Sequence, residues 1–333
     1  MTVVATWVAE AGDEALSDTI AAGLGNVEDM LFDVIKSQHT LLTQTSRHLA
    51  FAGGKRFRPM LVLLAAQFGD ASDPRVVPGA VVCELTHLAS LYHDDVMDEA
   101  AVRRRMISAN ARWGNNIAVL TGDFLFAMAA SLGVDLGSEA ARLYTRVAKR
   151  LIAGQFRETI GSLPGQDPMK HYLSVVTDKT GTLIAASCEL GALLAGADEA
   201  HTSILSHYGE LLGVAFQLAD DLLDVTASAE QLGKRPGTDL REGVASLPVL
   251  HLRACATADD ARLLELLDSD LAADEAALDE ALELLRAHRA MDLARLDLER
   301  YVRRCVEALD PLPDVPARRA LQRLAETMLS RRN

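Results

Sequence analysis

"GAVVCELTHLASLYHDDVMDEAAVRRR", Gly79 to Arg105, joins a long apolar run to an acidic cluster and then to three consecutive arginines. The apolar residues recur at three- and four-residue spacing, which is the period of a helix. Asp94 and Asp98 stand four apart, so on that helix they lie one turn above the other, with Asp95 beside them. Like charges so placed repel by roughly 0.2–0.5 kcal/mol at a solvated site. Surface charge explains either the acids or the bases alone. A partner carrying both a cation and an anion explains the two together.

A single D-D-x-x-D equally describes a solvated, acidic helix end. The chain, however, repeats it. "FQLADDLLDV", Phe216 to Val225, places Asp220, Asp221 and Asp224 at the same spacing inside a second apolar helix. Acids are rarely buried unless paired or metal-bound. Two such trios among core-forming residues suggest carboxylates facing each other across a cavity. Hard oxygen donors with few others fit Mg2+, which takes one or two carboxylates and completes its shell with substrate phosphates.

Helical signals fill the rest of the 333 residues. Hydrophobic residues make up 49% and aromatics only 5%, with Ala and Leu dominant, a composition that favours helix over strand. The breaks "SLPGQDP", "LGKRPGTDLREG" and "LDPLPDVP" are too short for interdomain linkers. The expected fold is therefore all-α, a single large helical bundle around a central cavity, with residues 1–333 forming one domain. The acidic, arginine-rich stripes after Cys255 read as a solvated face.

A net charge of −14 argues against nucleic acid and requires a local basic patch for any anionic ligand. Cys83, Cys188, Cys255 and Cys305 are far apart and form no zinc spacing, which fits reduced thiols. The N-terminus lacks the basic flank of a signal peptide, and no apolar run was expected to reach membrane-spanning length, so a cytoplasmic location is expected.

The cations complete the pattern. "GGKRFRP" supplies Lys55, Arg56 and Arg58 behind two glycines, where backbone and guanidinium can approach an anion. An ordinary helix-start loop reads the same way. His87 lies seven residues before Asp94, two turns back on the same stripe, as a phosphate donor or as a satisfied half-buried histidine. Arg103 and Arg104 follow the first trio, Lys179 and Thr180 sit in "DKTG", and Lys234 sits in "LGKRPGTD". Together they provide cations for two anion sites around two metal-binding trios, as magnesium diphosphate would require.

These motifs, "GGKRFRP", "HDDVMDEAAVRR", "DKTG", "FQLADDLLD" and "GKRPGTDLREG", stand in the order found in the all-trans isoprenyl diphosphate synthases, and the chain resembles the longer-chain polyprenyl diphosphate synthases most. The resemblance implies the isoprenoid synthase fold, a Mg2+-dependent prenyltransferase and a homodimer. It implies isopentenyl diphosphate held by Lys55, Arg58, His87 and Arg104. The allylic diphosphate, farnesyl or geranylgeranyl, would be held by Arg103, Lys179 and Lys234 and by Mg2+ on Asp94, Asp98, Asp220 and Asp224. Asp95 and Asp221 complete the catalytic trios, and Thr180 and Gln217 line the reaction centre. Membrane contact would be transient, for product release. Where the family usually has Gly after its Arg pair, this chain has Arg105 and then Met106.

Short-chain members of that family often place an aromatic residue four or five positions before the first Asp; here these are Ser90 and Ala89. Gly79, Cys83, Thr86 and Ser90 form a stripe of small residues, which suits close helix packing or a tunnel wall. As a wall up to Asp94 it spans about 22 Å, room for roughly five isoprene units. Products beyond geranylgeranyl are expected, and Ser90→Phe should shorten them. Two alternatives are a class I terpene cyclase, which needs no isopentenyl grip and steers cations with aromatics, and a catalytically silent synthase subunit, which needs no complete trios.

Overall fold

The computed structural model describes residues 13–227 and 235–330. It is 76% helical, and its strands among the described residues form one two-stranded hairpin, so the all-α expectation holds. In chain order the elements are α1 (Glu14–Val34), α2 (Thr40–Phe51), α3 (Phe57–Ala65), α4 (Val76–Met97), the hairpin β1 (Val102–Arg103) and β2 (Met106–Ile107), α5 (Ala109–Trp113), α6 (Asn115–Asp135) and α7 (Ser138–Ile160). Then come α8 (Pro168–Val176), a π-helical turn (Thr177–Gly181), α9 (Thr182–Leu194), α10 (Glu199–Thr226), α11 (Thr238–Arg241) and α12 (Leu247–Cys255). The series ends with α13 (Ala261–Leu267), α14 (Glu275–Ala287), α15 (Ala290–Ala308) and α16 (Pro316–Glu326).

Helix starts follow from local chemistry. Asp13 accepts from Leu16 N at 2.9 Å, and Asp167 accepts from Met169 N ahead of a Pro at N1, each satisfying amides that the helix itself leaves unpaired.

The chain divides into two compact units, each built from separate segments. The first comprises the described part of Met1–Arg150, with Thr182–Gly209 and Leu309–Leu324; the second comprises Leu151–Gly181, Glu210–Ala308 and the described part of Ala325–Asn333. α7 and α10 each run from one unit into the other.

In the first unit α4 packs lengthwise on α6, and α3 packs on α9. Gly191 permits the second contact: a Cβ there would lie 2.2 Å from Val62 O. Arg56, at the N-cap of α3 with φ 45°, turns inward. Its guanidinium meets Glu28 at 2.7 Å and the buried Glu84 at 2.7 Å, and donates to Ala50 O at 3.0 Å. This cation of the "GGKRFRP" motif is spent on the fold.

One expectation needs correction. α6 is long and apolar enough, by length and composition, to cross a membrane. It buries Ala118, Thr121, Gly122, Leu125, Ala129 and Gly133, while Val119, Leu120 and Val134 are exposed. The sequence pattern hid this because Asp123 interrupts the run; on the helix that carboxylate stands outward, 3.3 Å from His93.

Candidate active site

The first trio sits at the C-terminal end of α4, with Asp98 as its C-cap. The negative pole of the helix dipole adds to the like-charge repulsion there, so the end is a strong attractor for a cation. The three acids do not share one environment. Asp94 is half-buried and Asp98 exposed, but Asp95 is fully buried and accepts from Arg103 Nε at 2.5 Å. Its Oδ2 has no hydrogen-bond partner among the described residues. Burial pushes the Asp95 carboxyl above its ordinary value, with Arg103 pulling the other way. Arg103 therefore serves Asp95 directly, which explains part of the juxtaposition of acids and bases in the sequence.

Arg103 reaches back because the chain reverses in the hairpin, with Arg103 paired to Met106. The two central residues, Arg104 and Arg105, have φ of 50° and 64°. A type I′ turn requires positive φ at both, which normally selects Gly or Asn. Arg105 thus keeps the turn that a glycine would provide, at a conformational cost of about 1–2 kcal/mol. Arg104 bends under the preceding loop and donates to Leu49 O at 3.0 Å and to Gly53 O. A Cβ at Gly54 would lie 3.0 Å from its Nη1, so the small residue of "GGKRFRP" makes room for this arginine.

Arg58 and His87 complete a cationic cluster in the same unit. Arg58 is half-buried, and its Nε makes no hydrogen bond among the described residues. Burial lowers its pKa to about 10, against the pull of Glu84. His87 is driven well below its usual value, first by burial, then by Arg58, Arg104 and Arg103, so it stays neutral at physiological pH. A neutral imidazole among guanidinium groups can donate to an anion without adding charge. Lys55 is half-buried beside them in sequence.

The second trio, near the C-terminal end of α10, divides differently. Asp220 is half-buried, whereas Asp221 and Asp224 are buried. Asp221 accepts from Tyr172 Oη at 2.6 Å, Leu247 N at 2.9 Å and Gln217 Nε2 at 3.0 Å. Burial outweighs these donors and raises its pKa to about 6. Asp224 Oδ2 accepts from Asp239 N at 2.9 Å, which tethers the loop that returns after α10. Thr180 Oγ1 donates to Gln217 Oε1 at 3.3 Å, so the two expected reaction-centre residues do meet. Lys179 pairs with Glu158, an arrangement in which a diphosphate would have to exchange for a carboxylate. "DKTG" forms the π-helical turn, and Gly213 lets α10 press on it: a Cβ there would lie 2.5 Å from Gly181 Cα. Lys234 lies outside the described residues.

Among the described residues no group of three or more His, Cys, Asp or Glu side chains converges on one point. The donor set nevertheless fits a divalent cation: Asp94, Asp98 and Asp220, the less buried acids of the two trios, carry the hard carboxylate oxygens that such an ion takes alongside phosphates. Tyr172 was missed in the sequence. Its signal was available, since "YLSVVTDK" places it seven residues, two helical turns, before Lys179.

The small-residue stripe divides. Cys83 and Thr86 line a narrow apolar slit with Val82, Tyr144, Leu183, Ala186 and Leu190, a cavity of only about 20 Å³ in the first unit. Gly79 does not extend it, because a Cβ there would meet Leu194 Cδ1 at 2.4 Å, so the expected wall is shorter than the sequence suggested. Ala89 is buried outside the slit lining, and Ser90 is half-buried with its hydroxyl donated to His87 O at 2.9 Å.

Residues 39–285 match the family model described as polyprenyl synthetase. The chain is 44% identical over 322 residues to a nonaprenyl diphosphate synthase of Mycobacterium tuberculosis, covering 96% of each. It is 37% identical to a heptaprenyl diphosphate synthase component 2 of Geobacillus stearothermophilus, covering 93% of this chain and 95% of that one. A crystal structure of a Corynebacterium glutamicum geranylgeranyl pyrophosphate synthase, complexed with calcium and isoprenyl diphosphate, superposes with a TM-score of 0.86 at 40% identity, covering 96% of this chain and 98% of that one. A match across most of the chain, with both acidic trios inside it, makes this protein a member of the polyprenyl synthetase family.

Proposed function

We propose that this chain is a Mg2+-dependent prenyltransferase that condenses an allylic diphosphate, farnesyl or geranylgeranyl, with successive isopentenyl diphosphates to give an all-trans polyprenyl diphosphate longer than geranylgeranyl. The observation that carries this reading is the cluster of Arg58, Arg104 and neutral His87 on the unit that also holds the first acidic trio. An anion grip of that kind has no use in a cyclase, which takes a single diphosphate.

In this reading Lys55, Arg58, His87 and Arg104 hold isopentenyl diphosphate, and the excess of guanidinium groups over carboxylates around His87 favours a doubly charged anion. Arg103 and Lys179, with Lys234, hold the allylic diphosphate. Asp94, Asp98, Asp220 and Asp224 would hold Mg2+, which would supply positive charge to the departing diphosphate. The cations stabilise the leaving group as the allylic C–O bond breaks. Apolar walls keep water from the allylic carbocation. The isopentenyl double bond, held close by its own grip, attacks that carbon, and the proton lost afterwards passes to the released diphosphate.

The nonaprenyl and heptaprenyl enzymes among the relatives support long products, and Tyr144 of α7 is the aromatic residue that lines the slit beside Cys83 and Thr86. We further propose that residues 1–333 act as one synthase domain, since the family match runs through segments of both units. The exposed apolar face of α6, with Val119, Leu120 and Val134, supports a homodimer. A cytoplasmic location with brief membrane contact at product release completes the proposal.

Incubation of the purified protein with Mg2+, farnesyl diphosphate and labelled isopentenyl diphosphate, followed by chromatography, is the test. A ladder ending beyond twenty carbons supports the proposal. A cyclic hydrocarbon, or no turnover without a second protein, overturns it. Sedimentation analysis tests the homodimer.

A further inference from the structure

Asp221 is 3% exposed, and its carboxylate takes three hydrogen bonds from three different elements. Two of them converge on Oδ2: the Tyr172 hydroxyl from α8 and Leu247 N from the first turn of α12. The N-cap of α12, Ser246, contributes no side-chain cap, so Asp221 does that work from a distance, at the positive pole of the helix. The third donor is Gln217 Nε2, one turn earlier on α10. That bond fixes which way the Gln217 amide faces, because its nitrogen is committed to Asp221 and its oxygen must turn to Thr180. A carboxylate held in this way is not free to swing onto a metal.

We infer that Tyr172 is a positioning residue: through its 2.6 Å hydrogen bond it locks Asp221, and through Asp221 it sets the orientation of Gln217 and Thr180 at the allylic diphosphate site. The inference rests on the function proposed above and adds a residue to it. All four members, Tyr172, Asp221, Gln217 and Thr180, belong to the second unit. The isopentenyl grip of Arg58, His87 and Arg104 belongs to the first. The consequence is asymmetric: loosening Tyr172 should disturb the allylic side and spare the isopentenyl side.

The test is Tyr172→Phe in the full chain, which removes one oxygen and leaves the ring. Calorimetric titration with inorganic diphosphate in the presence of Mg2+ should show affinity falling by roughly 10-fold, the scale of one hydrogen bond to a charged acceptor. The KM for farnesyl diphosphate should rise in parallel, and the KM for isopentenyl diphosphate should stay within about twofold, a factor far smaller than such a bond is worth. A strut without a positioning role would lower the Tm and leave diphosphate affinity and both KM values unchanged; that result overturns the inference. If Tyr172→Phe does not fold, Asp221→Asn replaces it. There the new amide nitrogen faces Gln217 Nε2 and forces that amide to turn, so that its nitrogen instead of its oxygen faces the Thr180 hydroxyl. A loss of Mg2+-diphosphate affinity at unchanged Tm supports the inference, and unchanged affinity overturns it. Failure of the wild-type protein to bind Mg2+-diphosphate at all would instead count against the proposed function itself.

Discussion

The two acidic trios share one spacing and differ in how the middle acid is held. Asp95 is locked by a cation, Arg103, delivered by a strained hairpin eight residues on. Asp221 is locked by a tyrosine, a glutamine and a backbone amide, all neutral, drawn from elements up to 49 residues away. The same D-D-x-x-D pattern thus contains two kinds of residue: the less buried Asp94, Asp98 and Asp220, and the buried Asp95, Asp221 and Asp224. A charged lock delivers a strong bond but ties stability to one ion pair. Neutral locks spread the load over several weaker bonds.

The largest effect should separate outer acids from middle ones. Asp94→Ala and Asp220→Ala should each reduce kcat by about 1,000-fold, since each removes charge that holds the ion opposite the leaving group. Their unfolding midpoints in urea should hardly move. If either unfolds early, the division between site and scaffold is wrong.

Next, the two locks can be removed in turn. Arg103→Met leaves the Asp95 carboxylate fully buried with no described side-chain donor and should cost about 2 kcal/mol in urea unfolding of the apoprotein. Tyr172→Phe leaves Asp221 two of its three donors and should cost about 1 kcal/mol. Equal losses would erase the contrast between a single charged lock and a shared neutral one.

The cationic surroundings of the first trio also predict a pH response. His87 has a folded pKa well below 6.5, so the unfolded chain binds its proton more readily as pH falls. Stability from this residue is complete above about pH 6.5 and is lost as pH drops below it. In His87→Gln the loss of stability between about pH 6.5 and 5 should be shallower than in the wild type, as read by urea titrations at each pH. A steeper loss would contradict a neutral His87.

The smallest effect concerns the hairpin. Arg105→Gly removes a side chain from a left-handed position and should raise stability by about 1 kcal/mol, with the Arg103 lock intact. Destabilisation would mean that Arg105 makes a contact that repays its strain.

Much of the site was legible because its signals are local. Spacing of four on a helix gave Asp94 over Asp98 and Asp220 over Asp224, and one turn gave Gln217 above Asp221. The fate of Arg56 was not legible, because Glu28 and Glu84 lie 28 residues to either side. The hairpin escaped notice for a different reason: Arg104 and Arg105 adopt a turn that normally advertises itself with glycine. Tyr172 was overlooked although its spacing to Lys179 was visible, because a tyrosine in an apolar helix reads as core until its hydroxyl partner is known. The stripe from Gly79 to Ser90 was read as one surface, and packing split it into a sealed end and a slit.

Helical periodicity and the order of the charged motifs, both properties of neighbours along the chain, were enough to determine an all-α protein of this family with two acidic trios and a basic grip. Which acids of each trio are buried, which arginine is spent on the core and where the small-residue wall ends were decided only by tertiary structure. Each of those outcomes depends on a partner brought in from a distant segment, and a buried charge goes wherever a donor meets it.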